Sequence, residues 1–119
     1  MQYILLIYGN ENAYAQRSDA ERAAIRGEFM KFTQEIVKSG HFRAGDPLHP
    51  TTTASTVRLR DGKVLTTDGP FAETKEQLGG YYIVDAQNLD EALGIASRIP
   101  AAHWGSIEVR PILQIPRGG

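Results

Sequence analysis

Two stretches with helical periodicity, each lying between strand-like segments, constrain the fold of this 119-residue chain most strongly. The first begins with Ser18 and Glu21 at capping-box spacing, carries an apolar stripe at intervals of three and four residues, and stops at Gly40. The second begins at Asn88 and is ended by Pro100. Because two helices cover only one face of an antiparallel sheet, the other face needs a different cover.

The remaining segments supply the strands. Asp61 and Gly62 separate two alternating segments, which is typical of a tight β-hairpin. Pro111 places the last strand at a sheet edge or a bulge. Residues 41–55 are rich in glycine, proline and threonine and are predicted to form a loop. The predicted strands are 3–8, 56–60, 63–67, 80–85 and 106–115.

This order of elements predicts one α+β domain over residues 1–119. The predicted order is strand, long helix, hairpin, strand, helix and strand. It matches the ferredoxin-like βαββαβ pattern with an antiparallel sheet and an elaborated segment in the middle of the chain. The simplest cover for the bare sheet face is a second copy of the same sheet. We therefore expect a homodimer whose sheets pack face to face.

Composition excludes several classes of function. With 13 basic and 14 acidic residues the net charge is −1, which gives no general attraction for nucleic acid. The absence of cysteine excludes disulfides, thiolate metal sites and cysteine nucleophiles. The three histidines lack metal-ligand spacing, and no nucleotide fingerprint is present, so neither metal nor cofactor is expected. The apolar run 3–8 is too short for a signal peptide or a membrane span, which favours a cytoplasmic location and no membrane partner.

The most distinctive motif is the stiff turn Asp68-Gly69-Pro70-Phe71. Glycine adopts positive φ at little cost, and proline fixes its own φ and restricts the residue before it. Phe71 is expected to anchor the loop, so that the charged side chains after it project from a constrained base. Those side chains are Glu73, Lys75 and Glu76.

Around this motif the sequence resembles the YCII-related family, specifically the branch named for the DGPF tetrapeptide. The resemblance is carried by residues 68–82, 45–48, 54–58, 89–92 and 109–111. It implies a dimeric α+β barrel. Some relatives are thought to be enzymes that use a His–Asp pair, with the histidine near the first helix. Residues 16–27 contain no histidine here, so that pair is not carried over. The resemblance also implies a link to extracytoplasmic-function sigma factors.

Asp68 and His49 are the candidate catalytic residues. Burial of Asp68 beside a pocket would raise its pKa towards a range useful for proton transfer, whereas the alternative is an aspartate that caps its own turn. His49 lies in an irregular loop between two prolines, and histidine titrates near neutrality. A loop histidine near Asp68 would form an acid–base pair, and the alternative is an exposed histidine with no role.

The candidate ligand-binding residues are Phe71, Glu73, Lys75, Glu76, Tyr81 and Arg110. Lys75 would recognise an anion, but the same charges also suit a solvated loop or ion pairs between subunits. Tyr81 and Tyr82 face opposite sides of a strand, so one enters the core. Arg110 either holds a carboxylate of a ligand or pairs with Glu108.

Three readings of the function follow from these residues. The first is a small-ligand protein with a pocket between the DGPF loop, residues 45–50 and a barrel rim. As an enzyme, it would carry out cofactor-independent proton transfer, such as elimination or isomerisation, on a small polar or aromatic molecule. Asp68 or His49 would be the base, and Lys75 or Arg110 would hold an anionic group. The second is a non-catalytic dimeric module that senses a metabolite or contacts a sigma factor, and a purely structural dimer is the third reading.

Overall fold

The computed structural model describes residues 1–116 as a four-stranded sheet, a separate two-stranded hairpin and three α-helices. The strands are β1 (Gln2–Gly9), β2 (Phe42–Pro47), β3 (Ser55–Arg60), β4 (Lys63–Asp68), β5 (Gln77–Asp85) and β6 (Ser106–Pro111). The α-helices are α1 (Glu11–Ala15), α2 (Asp19–Lys38) and α3 (Leu89–Ser97), with 3₁₀ turns at Thr51–Thr53 and Pro100–His103. None of the helices within residues 1–116 has the length and apolar character needed to cross a membrane.

The main sheet is antiparallel throughout and has the strand order β2-β5-β1-β6. Without the hairpin and the short α1, the chain order is β1-α2-β2-β5-α3-β6, which is the βαββαβ arrangement. The predicted α+β, ferredoxin-like fold is therefore confirmed. Pro111 ends β6 at the edge of the sheet, where its missing N–H breaks no pairing.

Helices α2 and α3 cover one face of the sheet and form the core with it. The largest fully buried side chains are Leu5, Ile36, Val84 and Ile99. The predicted capping box is present: Glu21 N–H donates to Ser18 Oγ at 3.1 Å, and Ser18 N–H donates to the Glu21 carboxylate at 3.2 Å. The apolar stripe predicted for α2 faces the core, with Ile25, Phe32 and Ile36 buried and Phe29 half-buried. Met30 and Val37, which the pattern predicts to widen the stripe, are exposed.

The prediction of a loop over residues 41–55 is wrong in its first half, where β2 pairs with β5. Because β2 is an edge strand, it accepts a proline at its end. Gly45 is required by packing: a Cβ there would lie 2.5 Å from Cδ1 of Tyr82. The second strand of the βαββαβ motif is therefore β2, and the predicted hairpin is an insertion between β2 and β5.

The predicted hairpin itself is confirmed as β3 and β4. Asp61 and Gly62 both have positive φ, at 52° and 73°, as the tight turn of a hairpin requires. This hairpin forms a sheet of its own and does not extend the main sheet. The last strand is shorter than predicted, because β6 stops at Pro111 and residues 112–115 are not in a strand.

Candidate ligand site on the open sheet face

The face of the main sheet opposite the helices, here called the open face, carries a row of side chains that runs straight across four strands. Asp46 pairs with Tyr81, Tyr81 with Leu6, and Leu6 with Glu108. The Tyr81 hydroxyl donates to Asp46 Oδ2 at 2.9 Å. A phenol and a carboxylate are thus held together at one edge of the sheet by the register of β2 on β5.

The rows on either side of this one make the middle of the open face apolar. Ile83 pairs with Ile4, and Leu78 pairs with Tyr8. These four side chains are half-buried in the subunit. Strand spacing puts Asp46 and Glu108 about 14 Å apart across three strand intervals. The result is an apolar floor with polar groups at both edges.

Arg110 lies at the edge opposite Asp46, on the open face of β6 next to Ile4. Its Nε is 3.6 Å from Oε2 of Glu108, and both side chains are largely exposed. The predicted pairing with Glu108 is therefore observed, at a distance that leaves most of the guanidinium free to meet a ligand. Exposed ion pairs of this kind contribute little to stability, so the pair is easily rearranged.

The Tyr81 hydroxyl is electrostatically tuned by its partner. The hydrogen bond to Asp46, together with the negative charge of that carboxylate, raises the pKa of Tyr81 above its usual value. Tyr81 is the donor of this hydrogen bond and the Asp46 carboxylate is the acceptor. Tyr82, the neighbouring tyrosine, points to the other face, where its hydroxyl lies 2.7 Å from Thr33 Oγ1 and burial raises the pKa of its phenol.

Glu11, at the start of α1, links the loop after β2 to the main sheet through hydrogen bonds. It lies near the C-terminal end of β1. Its carboxylate accepts from Thr51 N–H at 2.9 Å and from Thr51 Oγ1 at 2.7 Å. Its own N–H donates to Oε1 of Gln77 at 2.9 Å. The loop that follows Asp46 is thereby tied down, which helps hold the edge strand β2 in register.

The two candidate catalytic residues are on the surface of the chain. Asp68 ends β4, and His49 lies in the loop after β2. Both are exposed, and within residues 1–116 neither side chain makes a hydrogen bond. No hydrogen bond between the Asp68 carboxylate and its own turn is present among residues 1–116, and the Gly69 N–H instead extends the β3–β4 pairing by donating to Ala54 O at 2.7 Å.

The DGPF turn has the expected backbone, with Gly69 at φ 94°. Phe71 does not anchor the loop within the subunit, since its side chain is 79% exposed. Glu73 and Lys75 are also exposed. Glu76 alone among the loop charges meets the main sheet, where its Oε1 accepts from Ser106 Oγ at 2.7 Å.

Two depressions among residues 1–116 lie away from the DGPF loop. One, of about 370 Å³, is polar and lies beside His41, whose Nδ1 is 2.7 Å from Ser39 Oγ and whose Nε2 is 3.1 Å from Glu91 Oε1. The other, of about 230 Å³, lies between α3 and β6.

Sequence reasoning placed Tyr81 and Arg110 on the site but missed Asp46 and Glu11. Asp46 is 35 residues from Tyr81 and lies in a segment predicted as a loop. The alternation of Ala44 and Asp46 would have placed both on one face once that segment was recognised as a strand. Glu11 had no such signal, because α1 spans only five residues.

Comparison with known proteins supports the fold. Residues 1–116 match the family described as the YCII-related domain. Over 114 residues the chain is 39% identical to the uncharacterized protein R00369 of Rhizobium meliloti (strain 1021), covering 94% of this chain and 92% of that protein. Among solved structures it is similar to 5-chloro-2-hydroxyhydroquinone dehydrochlorinase (TftG) of Burkholderia phenoliruptrix AC1100, solved in complex with 2,5-dihydroxybenzoquinone. That similarity has a TM-score of 0.55 at 13% identity and covers 95% of this chain and 94% of that one.

Proposed function

The chain belongs to the YCII-related family, and we propose that it binds a small planar molecule with acidic or hydroxyl substituents on the open face of its sheet. The observation that carries this proposal is the 2.9 Å hydrogen bond from Tyr81 to Asp46 beside an apolar floor. We also propose, from residues 68–82, that the chain is a member of the DGPF-motif branch of that family.

The shape and chemistry of the open face suit such a ligand. Ile4, Leu6 and Ile83 offer an apolar surface on which an aromatic ring can lie. Tyr81 and Arg110 lie two strand intervals apart and two residues apart along the strands, a separation of about 12 Å, so polar groups at both ends of a small planar molecule can be met. Arg110 is suited to an anionic group because its guanidinium offers several donors in one plane.

The chemistry we propose is proton transfer without a cofactor. The Asp46 carboxylate takes a proton from a carbon next to a ligand carbonyl, and the electron pair left behind moves onto the carbonyl oxygen. Tyr81 keeps Asp46 in position, and Arg110 holds the anionic end of the ligand. Asp46 takes the role that the sequence suggested for Asp68 or His49, because it has the partner and the position on the sheet that they lack.

A second copy of the chain would enclose the ligand. The open face of a single subunit leaves its apolar rows in contact with water, and water weakens every electrostatic interaction with a ligand. Two sheets packed face to face would bury these rows and leave a shared cavity between them. The proposed functional unit is therefore a homodimer in the form of an α+β barrel.

Isothermal titration calorimetry with 2,5-dihydroxybenzoquinone, the molecule in complex with which the structurally similar TftG was solved, tests the site. We expect binding to the wild-type protein and at least about tenfold weaker binding to Tyr81→Phe and Asp46→Asn, since hydrogen bonds to charged groups contribute about 1.5–3 kcal/mol. Tyr14→Phe is the matched control, because Tyr14 stacks on Trp104 away from this face. Equal affinity in all four proteins would refute the site.

Exchange of the ring hydrogens of the same probe for deuterium, followed by NMR, separates the two classes of function. A deuteron from solvent adds to a ring carbon, and Asp46 then takes the original hydrogen from that sp³ carbon next to the carbonyl. Exchange accelerated by the wild-type protein and abolished in Asp46→Asn would support the enzyme. Binding without accelerated exchange would favour the non-catalytic sensor. Association with an extracytoplasmic-function sigma factor has no supporting contact among the described residues and stays a prediction.

A further inference from the structure

The hairpin β3–β4, here called the arm, has two chemically different faces. The register pairs Leu59 with Val64 and Val57 with Thr66, which puts the three apolar side chains on one face. The other face is basic, and its side chains include Arg58, Arg60 and Lys63. Val57, Leu59 and Val64 are 65%, 63% and 68% exposed. The arm thus has an apolar face with nothing packed on it.

The arm is poorly supported by its own subunit. At its base the Gly69 N–H donates to Ala54 O at 2.7 Å, and Thr56 Oγ1 donates to Gly69 O at 2.9 Å. Beyond that base, β3 and β4 contact mainly each other. An isolated two-stranded hairpin is only marginally stable in water and needs a surface to pack against. The apolar face of the arm therefore needs a surface outside the arm to pack against.

The accessible surface and radius of gyration of one chain indicate how much surface a partner could bury. Its accessible surface is 8569 Å², about 2,200 Å² more than the roughly 6,400 Å² expected of a compact monomer of 13.1 kDa. Its radius of gyration is 16.6 Å, against about 13.5 Å for a compact domain of this length. Obligate homodimers bury from about 1,000 to 2,500 Å² on each subunit. The excess surface is what one subunit of such a dimer would expose.

We propose that the arm is an exchanged dimer arm: the apolar face of Val57, Leu59 and Val64 packs on a second copy of this chain, across the rim of its open face. The inference rests on the homodimer of the proposed function. Six residues per strand give the arm a reach of about 20 Å, and the main sheet of the partner is about 14 Å wide. The arm is therefore long enough to cross the partner's sheet.

This placement also accounts for the exposed DGPF loop. The loop joins the arm to β5, so an arm that crosses to the partner carries Phe71 to the boundary between subunits. There the Phe71 side chain, exposed in the single subunit, has an apolar surface to contact. The charged residues after it, Glu73 and Lys75, then lie at the mouth of the partner's site and not of their own.

Sedimentation equilibrium of two variants tests the arm. Leu59→Glu puts a charge on the apolar face, and we expect it to weaken the dimer by at least tenfold in Kd. Leu65→Glu is the matched control, since Leu65 lies on the basic face of the same hairpin and is already 48% exposed. It should leave the dimer intact. Dissociation constants that change equally in both variants, or in neither, would overturn the proposal.

Cysteine labelling provides a second measurement that does not depend on breaking the dimer. The natural chain has no cysteine, so Leu59→Cys and Leu65→Cys each provide one unique thiol. In the concentrated protein we expect maleimide to modify Leu59→Cys at least tenfold more slowly than Leu65→Cys. Equal rates would refute the buried apolar face, including the case of a monomeric protein.

The outcomes separate this proposal from the ligand site. If maleimide modifies Leu59→Cys slowly in a protein that does not bind 2,5-dihydroxybenzoquinone, the result would support the exchanged arm and count against the proposed function. Probe binding that depends on Tyr81, in a dimer indifferent to Leu59→Glu, would support the site and refute the arm.

Discussion

Gly45→Ala is the most direct test of how the packing of β2 on β5 positions Asp46 against Tyr81. A Cβ at position 45 would lie 2.5 Å from Cδ1 and 3.0 Å from Cε1 of Tyr82, far inside ordinary contact distance. The ring cannot move aside easily, because it packs edge-on to Phe32 at 5.2 Å between ring centroids and its hydroxyl lies 2.7 Å from Thr33 Oγ1. Edge strand β2 is the part that must shift.

Overpacking of this kind destabilises a core by about 1–3 kcal/mol. With an unfolding entropy of about 2.1 cal/mol/K per residue, that range lowers the Tm of a chain of this length by about 4–12 °C. Because Asp46 follows Gly45 directly, a displaced β2 should also lengthen the hydrogen bond from Tyr81 and weaken probe binding.

Gly27→Ala is the matched control, since it makes the same substitution in the middle of α2. A Cβ at position 27 meets nothing within 4 Å, and alanine favours a helix by about 0.5–1 kcal/mol over glycine. Differential scanning calorimetry at one fixed protein concentration should therefore give opposite signs, with Gly27→Ala raising Tm. A Gly45→Ala protein as stable as wild type would refute the packing argument.

Two further predictions concern protonation and capping. Phenolate absorbance during a pH titration should show two tyrosines, Tyr81 and Tyr82, that ionise above the usual tyrosine range. Asp46→Asn should bring only the pKa of Tyr81 back down, and no change in Asp46→Asn would contradict the assigned cause. Since the folded state raises this pKa, the stabilisation from protonated Tyr81 is complete below the pKa of an unfolded tyrosine and is lost as pH rises through the folded value. Ser18→Ala removes the acceptor of the Glu21 N–H and should lower the free energy of unfolding by about 1 kcal/mol in chemical denaturation, whereas Ser97→Ala, which loses only a bond to the Gly94 carbonyl near the end of α3, should have the smaller effect.

Local features were readable from the sequence because the interactions that make them span only a few residues. The capping box joins Ser18 to Glu21, three positions apart. The hairpin turn needs two consecutive residues that tolerate positive φ, and Asp61 and Gly62 meet that need. The order of these elements was then enough to predict a ferredoxin-like arrangement, even though one strand was assigned to the wrong segment.

The site depended on contacts between distant segments. The sequence could say only that Tyr81 and Tyr82 face opposite sides of a strand. Pairing of Leu5 with Tyr82 and of Leu6 with Tyr81 decided which tyrosine enters the core. Asp46 became part of the site only when β2 paired with β5 in one register, since a slip of one residue would turn its carboxylate to the other face. Alternation and capping are properties of the chain itself, whereas register is set by packing over the whole sheet.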